Sequence, residues 1–244
     1  METPTYIALS RQLGLRRQMD IVANNLANMN TPSFKGERLI FVEYLQQPTR
    51  KDPQSFVQDL GTLRDTAEGP LAKTDNPFDL AVSGDGYFTV ETPLGNRYTR
   101  HGRFQLDADN RLVTGQGHPV LDSGGGEITI PRGSGRITVS TDGTLSTDTG
   151  IVARLGLVKF ADEQQLQRGA NNQYSAPEDQ RPEAVEKPRI MQGMLEESNV
   201  QAVTELTHMI EIMRTYQGIG KAIEQEHERQ LKAINRVARR SQAA

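Results

Sequence analysis

No cysteine occurs in the chain, which excludes disulfides and thiolate metal sites. Tryptophan is absent as well, and aromatic residues make up only 5%. With hydrophobic residues at 35%, a compact core is expected to cover part of the chain and not all of it. No apolar run approaches the roughly 20 residues that span a bilayer, so membrane insertion is not expected. The first residues, Met1 to Ser10, lack the charged start and apolar stretch of a cleaved signal peptide. Any export is expected to use a route without one.

The residue clusters of catalysis are missing too. The four histidines, His101, His118, His208 and His227, are scattered, and no two stand three or four positions apart as a metal pair would. Asp107-Ala108-Asp109 opens like an EF-hand loop, but Arg111 stands at its fifth position and the required glycine is absent. A hairpin turn explains it better. Gly84-Asp85-Gly86 leads from one strand pattern into another and not into a helix, so it is no dinucleotide fingerprint. Gly124-Gly125-Gly126 lacks the Lys-Ser/Thr of a phosphate-binding loop, and no Gly-x-Ser-x-Gly elbow exists. Neither an enzyme nor a cofactor is expected.

What is present is uneven charge and clear periodicity. The net charge is −3, yet residues 1–35 carry +2 and residues 219–244 carry +3, which leaves −8 for the middle. The last fourteen residues hold Lys232, Arg236, Arg239 and Arg240 with no acid. No aromatic residue interleaves with them, so nucleic-acid binding is not expected. A helix end favoured by its dipole is the simpler reading.

Along the 244 residues the order is helix, β-rich middle, helix. Residues 1–35 read as an N-terminal helix and turn, 36–74 as a connector, 75–190 as a central antiparallel all-β domain and 191–244 as a C-terminal helix. Leu39 to Leu45 is an apolar run open to strand or helix. In the middle, Phe104–Thr114 aligns with Ile137–Thr147. Each sets an alternating strand before an Asp-Asn or Asp-Gly turn, where both turn residues are expected at positive φ. Ile151 to Phe160 reads as one buried strand. Ser198 or Asn199 is expected to cap the last helix. Both helices show coiled-coil periodicity. Leu15, Met19, Val22, Leu26 and Met29 alternate steps of four and three, as do Leu206, Ile210, Met213, Gln217 and Gly220.

The end of the first helix, Ala23-Asn24-Asn25-Leu26-Ala27-Asn28-Met29-Asn30-Thr31-Pro32-Ser33-Phe34-Lys35, is the most specific motif. Asn28 and Asn30 fit helix termination. Asn24 and Asn25 stand where a polar group in a helical seam sets register and partner, at some cost in stability. The segment resembles the N-terminal signature of the flagellar axial proteins, the rod and hook subunits of the bacterial flagellum. The one clear departure is Ser33, where that family carries glycine. Asp79-Leu80-Ala81-Val82-Ser83-Gly84-Asp85-Gly86-Tyr87-Phe88 resembles the same family, as do Leu195-Glu196-Glu197-Ser198-Asn199-Val200 and Met209 to Gln217. The likeness therefore runs through nearly the whole chain.

The resemblance implies a structural subunit, exported unfolded through the flagellar type III export apparatus and added to the rod in the periplasm beside other rod subunits. Length and the Met213-Arg214-Thr215-Tyr216 variant point to the proximal-rod type, with the distal-rod type as runner-up. The assembly residues expected are Leu15, Met19, Val22, Asn24, Asn25, Leu26, Asn28, Leu206, Ile210 and Met213. A rival reading is a stand-alone periplasmic binding module, with Tyr87, Phe88 and Tyr98 as stacking surfaces for carbohydrate.

Overall fold

The computed structural model describes residues 3–46 and 54–241. The chain forms two compact units. One is made of Met1–Ala27, Glu37–Arg64 and Gln201–Ala244, the other of Asn28–Gly36 and Asp65–Val200. An N-terminal helix, a central antiparallel β region and a C-terminal helix follow one another along the sequence.

The first unit is built from helix α1 (Thr3–Ala27), strands β1 (Glu37–Gln46) and β2 (Gln54–Arg64), and helix α2 (Ala202–Ser241). Helix α1 packs against α2 and against both strands. The two helices run antiparallel, with Asn25 beside Glu205 and the Gln12 amide over Gly220. The run from Leu39 to Leu45 is strand, resolved by pairing with β2: Glu37 lies opposite Arg64 and Gln46 opposite Gln54. The register shifts between Ile40 and Phe41. Gly61 sits at this bulge with φ +137°, a backbone that glycine accepts at no steric cost. These strands occupy the stretch expected as a connector, whose residues 47–53 lie outside the described residues.

The second unit has a six-stranded antiparallel sheet in the order Gln167–Arg168, Gln173–Ser175, Gly95–Thr99, Tyr87–Thr92, Leu157–Lys159, Glu183–Ala184. Alternation along Tyr87–Thr92 divides the core. Phe88 and Val90 enter one cluster with Leu80, Phe104, Leu112 and Leu155, whereas Tyr87 joins Tyr98, Phe160, Leu166 and Tyr174 in a second. Rings in that second cluster meet edge to face, Tyr98 and Phe160 with centroids 4.7 Å apart. Tyr87, Phe88 and Tyr98 are all buried and offer no stacking surface to a ligand. The unit reaches beyond 75–190 because Met194–Glu196 pairs with Leu71–Lys73.

The two similar sequence segments adopt the same turn. Asn110 N–H donates to Asp107 O while Asp107 N–H donates to Arg111 O, and Gly143, Ser140 and Thr144 repeat the pattern. In each, the last loop residue alone takes positive φ, Asn110 at 60° and Gly143 at 86°. The loop thus has three residues, a tight turn followed by a left-handed one, and not the two-residue turn expected. Two further expectations are corrected. The stretch 151–160 is two strands, Gly150–Arg154 and Leu157–Lys159, and Ile151 is exposed at its edge. Helix α2 begins with Glu205 N–H donating to Gln201 O, so Gln201 flanks it and neither Ser198 nor Asn199 is the cap.

Candidate assembly site

Asn28 lies in the second unit, and the other expected residues lie in the first, in two groups. Leu15, Met19 and Leu26 are half-buried, and Val22 is buried. Asn24 is exposed and Asn28 half-buried. Asn28 closes the helix: its carbonyl accepts from Thr31 N–H at 3.0 Å and its side-chain oxygen from the Thr31 hydroxyl at 3.2 Å. Leu206, Ile210 and Met213 are 45%, 49% and 42% exposed. The shielded face of α2 is another series, Glu205, Met209, Ile212, Tyr216, Ile219 and Ile223, with the same steps of four and three. Helix α2 therefore carries two apolar seams, one covered and one open.

Asn25 is 3% exposed and is engaged within its own chain. Its Oδ1 accepts from Glu37 N–H at 3.0 Å, and its Nδ2 donates to Glu37 O at 2.9 Å and to Glu205 Oε2 at 3.4 Å. One amide thus satisfies both backbone groups at the root of β1 and reaches α2.

In the second unit, the ends of the two family-like motifs meet. Glu196 is buried, with Lys35 Nζ 2.5 Å from its Oε1 and Arg100 Nε 2.8 Å from its Oε2. Gly69 N–H also donates to Oε1. Lys35 donates to Ala67 O, and the Arg100 guanidinium to the carbonyls of Gly84, Gly86 and Val82. Every charge is thus hydrogen-bonded, the condition under which a buried ion pair is tolerated. Around it, Phe34 is fully buried beneath Arg168, whose guanidinium carbon lies 3.9 Å from the ring centroid. Asn199 Oδ1 accepts from Gly36 N–H, and its Nδ2 donates to Asp65 O and Ala67 O.

Ser33, the departure from the family pattern, is left-handed at φ 57°. Glycine takes that conformation freely and serine does not. Its hydroxyl compensates by donating to Arg100 O at 2.8 Å, and its N–H donates to Glu196 O at 2.8 Å.

Titration follows from one anion shared by two cations. Burial would raise the Glu196 carboxyl, but Arg100 and Lys35 together hold it below the usual carboxylate range. For Lys35, burial outweighs the pull of Glu196 and lowers its pKa. For Arg100, burial is overcome by Glu196 and the pKa is raised.

Sequence reasoning did not single out Lys35, Arg100, Glu196 or Asn199. Lys35, Glu196 and Asn199 lie inside the quoted motifs, and that position is the available signal. Nothing in the sequence pairs positions 161 residues apart. Among the described residues, no three His, Asp or Glu side chains are grouped so as to hold a metal ion, and no helix is long and apolar enough to cross a membrane.

Three family models match the chain: "Flagella basal body rod protein" over residues 6–35, "Flagellar hook protein FlgE/F/G D1 domain" over 81–147 and "Flagellar basal body rod FlgEFG protein C-terminal" over 191–236. The flagellar basal-body rod protein FlgF of Caulobacter vibrioides is 42% identical over 98% of this chain and 99% of its own length. FlgF of Mesorhizobium japonicum is 35% identical over 92% and 93%. The rod protein FlgG of Bacillus subtilis is 32% identical over 89% and 92%. Lys35 and Glu196, which join the two motifs, lie within the matched ends, and the strands from Tyr87–Thr92 to Thr144–Thr147 lie within the matched middle. The chain belongs to the flagellar basal-body rod proteins, as a structural subunit of the FlgF type.

Proposed function

We propose that the chain polymerises into the rod through its two terminal helices, with Leu15, Met19, Asn24, Leu26, Asn28, Leu206, Ile210 and Met213 as assembly residues and the buried Val22 and Asn25 holding the helices in place behind them. The observation that carries this reading is the second apolar seam of α2. Val203, Leu206, Ile210 and Met213 keep the steps of a coiled-coil stripe and stay exposed in the single chain. On α1, Leu9 and Leu13 are exposed likewise. The two open faces differ, which suits heterologous contact between copies or related subunits, the kind that builds rings or filaments.

Other rod subunits are the partners of these faces. The unfolded chain passes through the flagellar type III export apparatus and folds in the periplasm. The protein is not an enzyme. The FlgF type is favoured over FlgG by the higher identity and coverage of its relatives.

The test is the double substitution Leu206→Asp with Ile210→Asp in a motile host that depends on this gene. The purified variant is expected to keep wild-type circular dichroism, because both side chains face solvent. Cells are expected to lose swimming, with no variant protein in isolated basal bodies. Normal swimming would refute the assignment of this face.

A further inference from the structure

The segment Thr31–Gly36 lies across the second unit as a bound peptide would, and almost everything that holds it comes from far along the chain. Pro32 O accepts from Asn172 Nδ2, Ser33 N–H donates to Glu196 O, and Phe34 O accepts from Asn199 N–H. Lys35 reaches Glu196 and Gly36 reaches Asn199. Four of these contacts belong to the short stretch 196–199. The stretch 196–199 is itself tied to the unit beside the buried Glu196, where Glu197 N–H donates to Pro70 O at 2.8 Å.

Charge makes this dependence two-sided. With Glu196 away, Lys35 and Arg100 are two buried cations that keep only carbonyl acceptors and the more distant Glu68 carboxylate, an arrangement strongly disfavoured. With Lys35 away, Glu196 keeps one cation where its site holds two. Strain adds to this. Ser33, Asn171 and Asn172 are left-handed at 57°, 59° and 55°, and such non-glycine conformations persist only where contacts over-determine them. All three stand at the seat of this segment.

We propose that the Lys35–Glu196–Arg100 cluster is a two-sided latch, through which segment 31–36 and segment 194–199 dock on the second unit in one cooperative step. Releasing either segment releases the other. The coupling does not rest on the assembly reading.

Hydrogen exchange on the full-length protein tests it, with Lys35→Met as the main variant because it leaves the Glu196–Arg100 pair in place. The amides of Ser33, Asn199 and Glu197 are expected to exchange at least about tenfold faster together, while those of Gly143 and Thr144 keep their wild-type rates. Glu196→Gln is expected to accelerate the same set. Faster exchange at Ser33 and Asn199 with Glu197 at its wild-type rate overturns the proposal, because the segments would then open separately. No acceleration at any of the three overturns it too. If Glu196→Gln opens the whole unit, Lys35→Met alone decides.

Discussion

The Glu196 carboxylate lies 2.5 Å from the Lys35 ammonium, although 161 positions separate them in the sequence. Arg100 closes on its other oxygen at 2.8 Å. All three side chains are almost wholly withdrawn from solvent. Removing Glu196 takes the shared carboxylate from both buried cations at once. Glu196→Gln is therefore expected to cost about 3–5 kcal/mol of unfolding free energy. Urea titration followed by tyrosine fluorescence measures this, and a loss below 1 kcal/mol would mean that water or nearby carbonyls replace the carboxylate.

Acid should act on the same group. The folded-state pKa of Glu196 is depressed, so its contribution is present above the unfolded value of about 4.3 and is lost as pH falls through the folded value. Lys35 has the opposite slope. Its folded-state pKa is lowered, so the folded state gains relative to the unfolded one as pH rises from there towards about 10.4. The urea midpoint is expected to drop below about pH 4 in the wild type and to drop less in Glu196→Gln. Parallel acid curves for the two proteins would exclude Glu196 as the responsible carboxyl.

Ser33 combines a strained backbone with a hydrogen bond that glycine cannot make. The left-handed conformation costs a serine roughly 1–2 kcal/mol, and the bond to Arg100 O contributes about 0.5–1.5 kcal/mol. Ser33→Gly is expected to be neutral to within about 1 kcal/mol. Ser33→Ala keeps the strain, loses the bond and is expected to be destabilised by about 1–2 kcal/mol. Thermal unfolding of the pair settles it, and an alanine variant as stable as the wild type would remove the hydroxyl from the account.

Asn25 bonds both the N–H and the C=O of Glu37. Asn25→Leu leaves both groups without these partners and is expected to cost about 2 kcal/mol or more. Asn25→Asp keeps the acceptor but turns a carboxylate on Glu37 O and Glu205. That variant is expected to recover stability on mild acidification, as the new carboxyl takes up a proton. A pH-independent defect would contradict the geometry.

The order helix, β region, helix was legible because periodicity is local. Steps of four and three marked both helices, and alternation around Asp-Asn and Asp-Gly marked the hairpins. Tyr87 and Tyr98 could be read either as core or as ligand platform, and only the pairing of Tyr87–Thr92 with its neighbours decided for core. Relations that depend on distant pairing were not legible. Met194–Glu196 belongs to the β region because it pairs with Leu71–Lys73, and no local pattern carries that. The seam of α2 shows the same limit. Two stripes, Leu206-Ile210-Met213 and Met209-Ile212-Tyr216, share one rhythm, and only packing tells which is covered.

The antiparallel register of the helices fixes where they part company. Asn25 stands at Glu205 and Gln12 at Gly220, so Thr3, where the described part of α1 starts, falls near Arg229 or Gln230. Helix α2 continues to Ser241, roughly 18 Å of helix beyond the described part of α1. A helix of that length is marginal by itself in water. That stretch is therefore expected to draw its stability from a neighbouring molecule lying beside it.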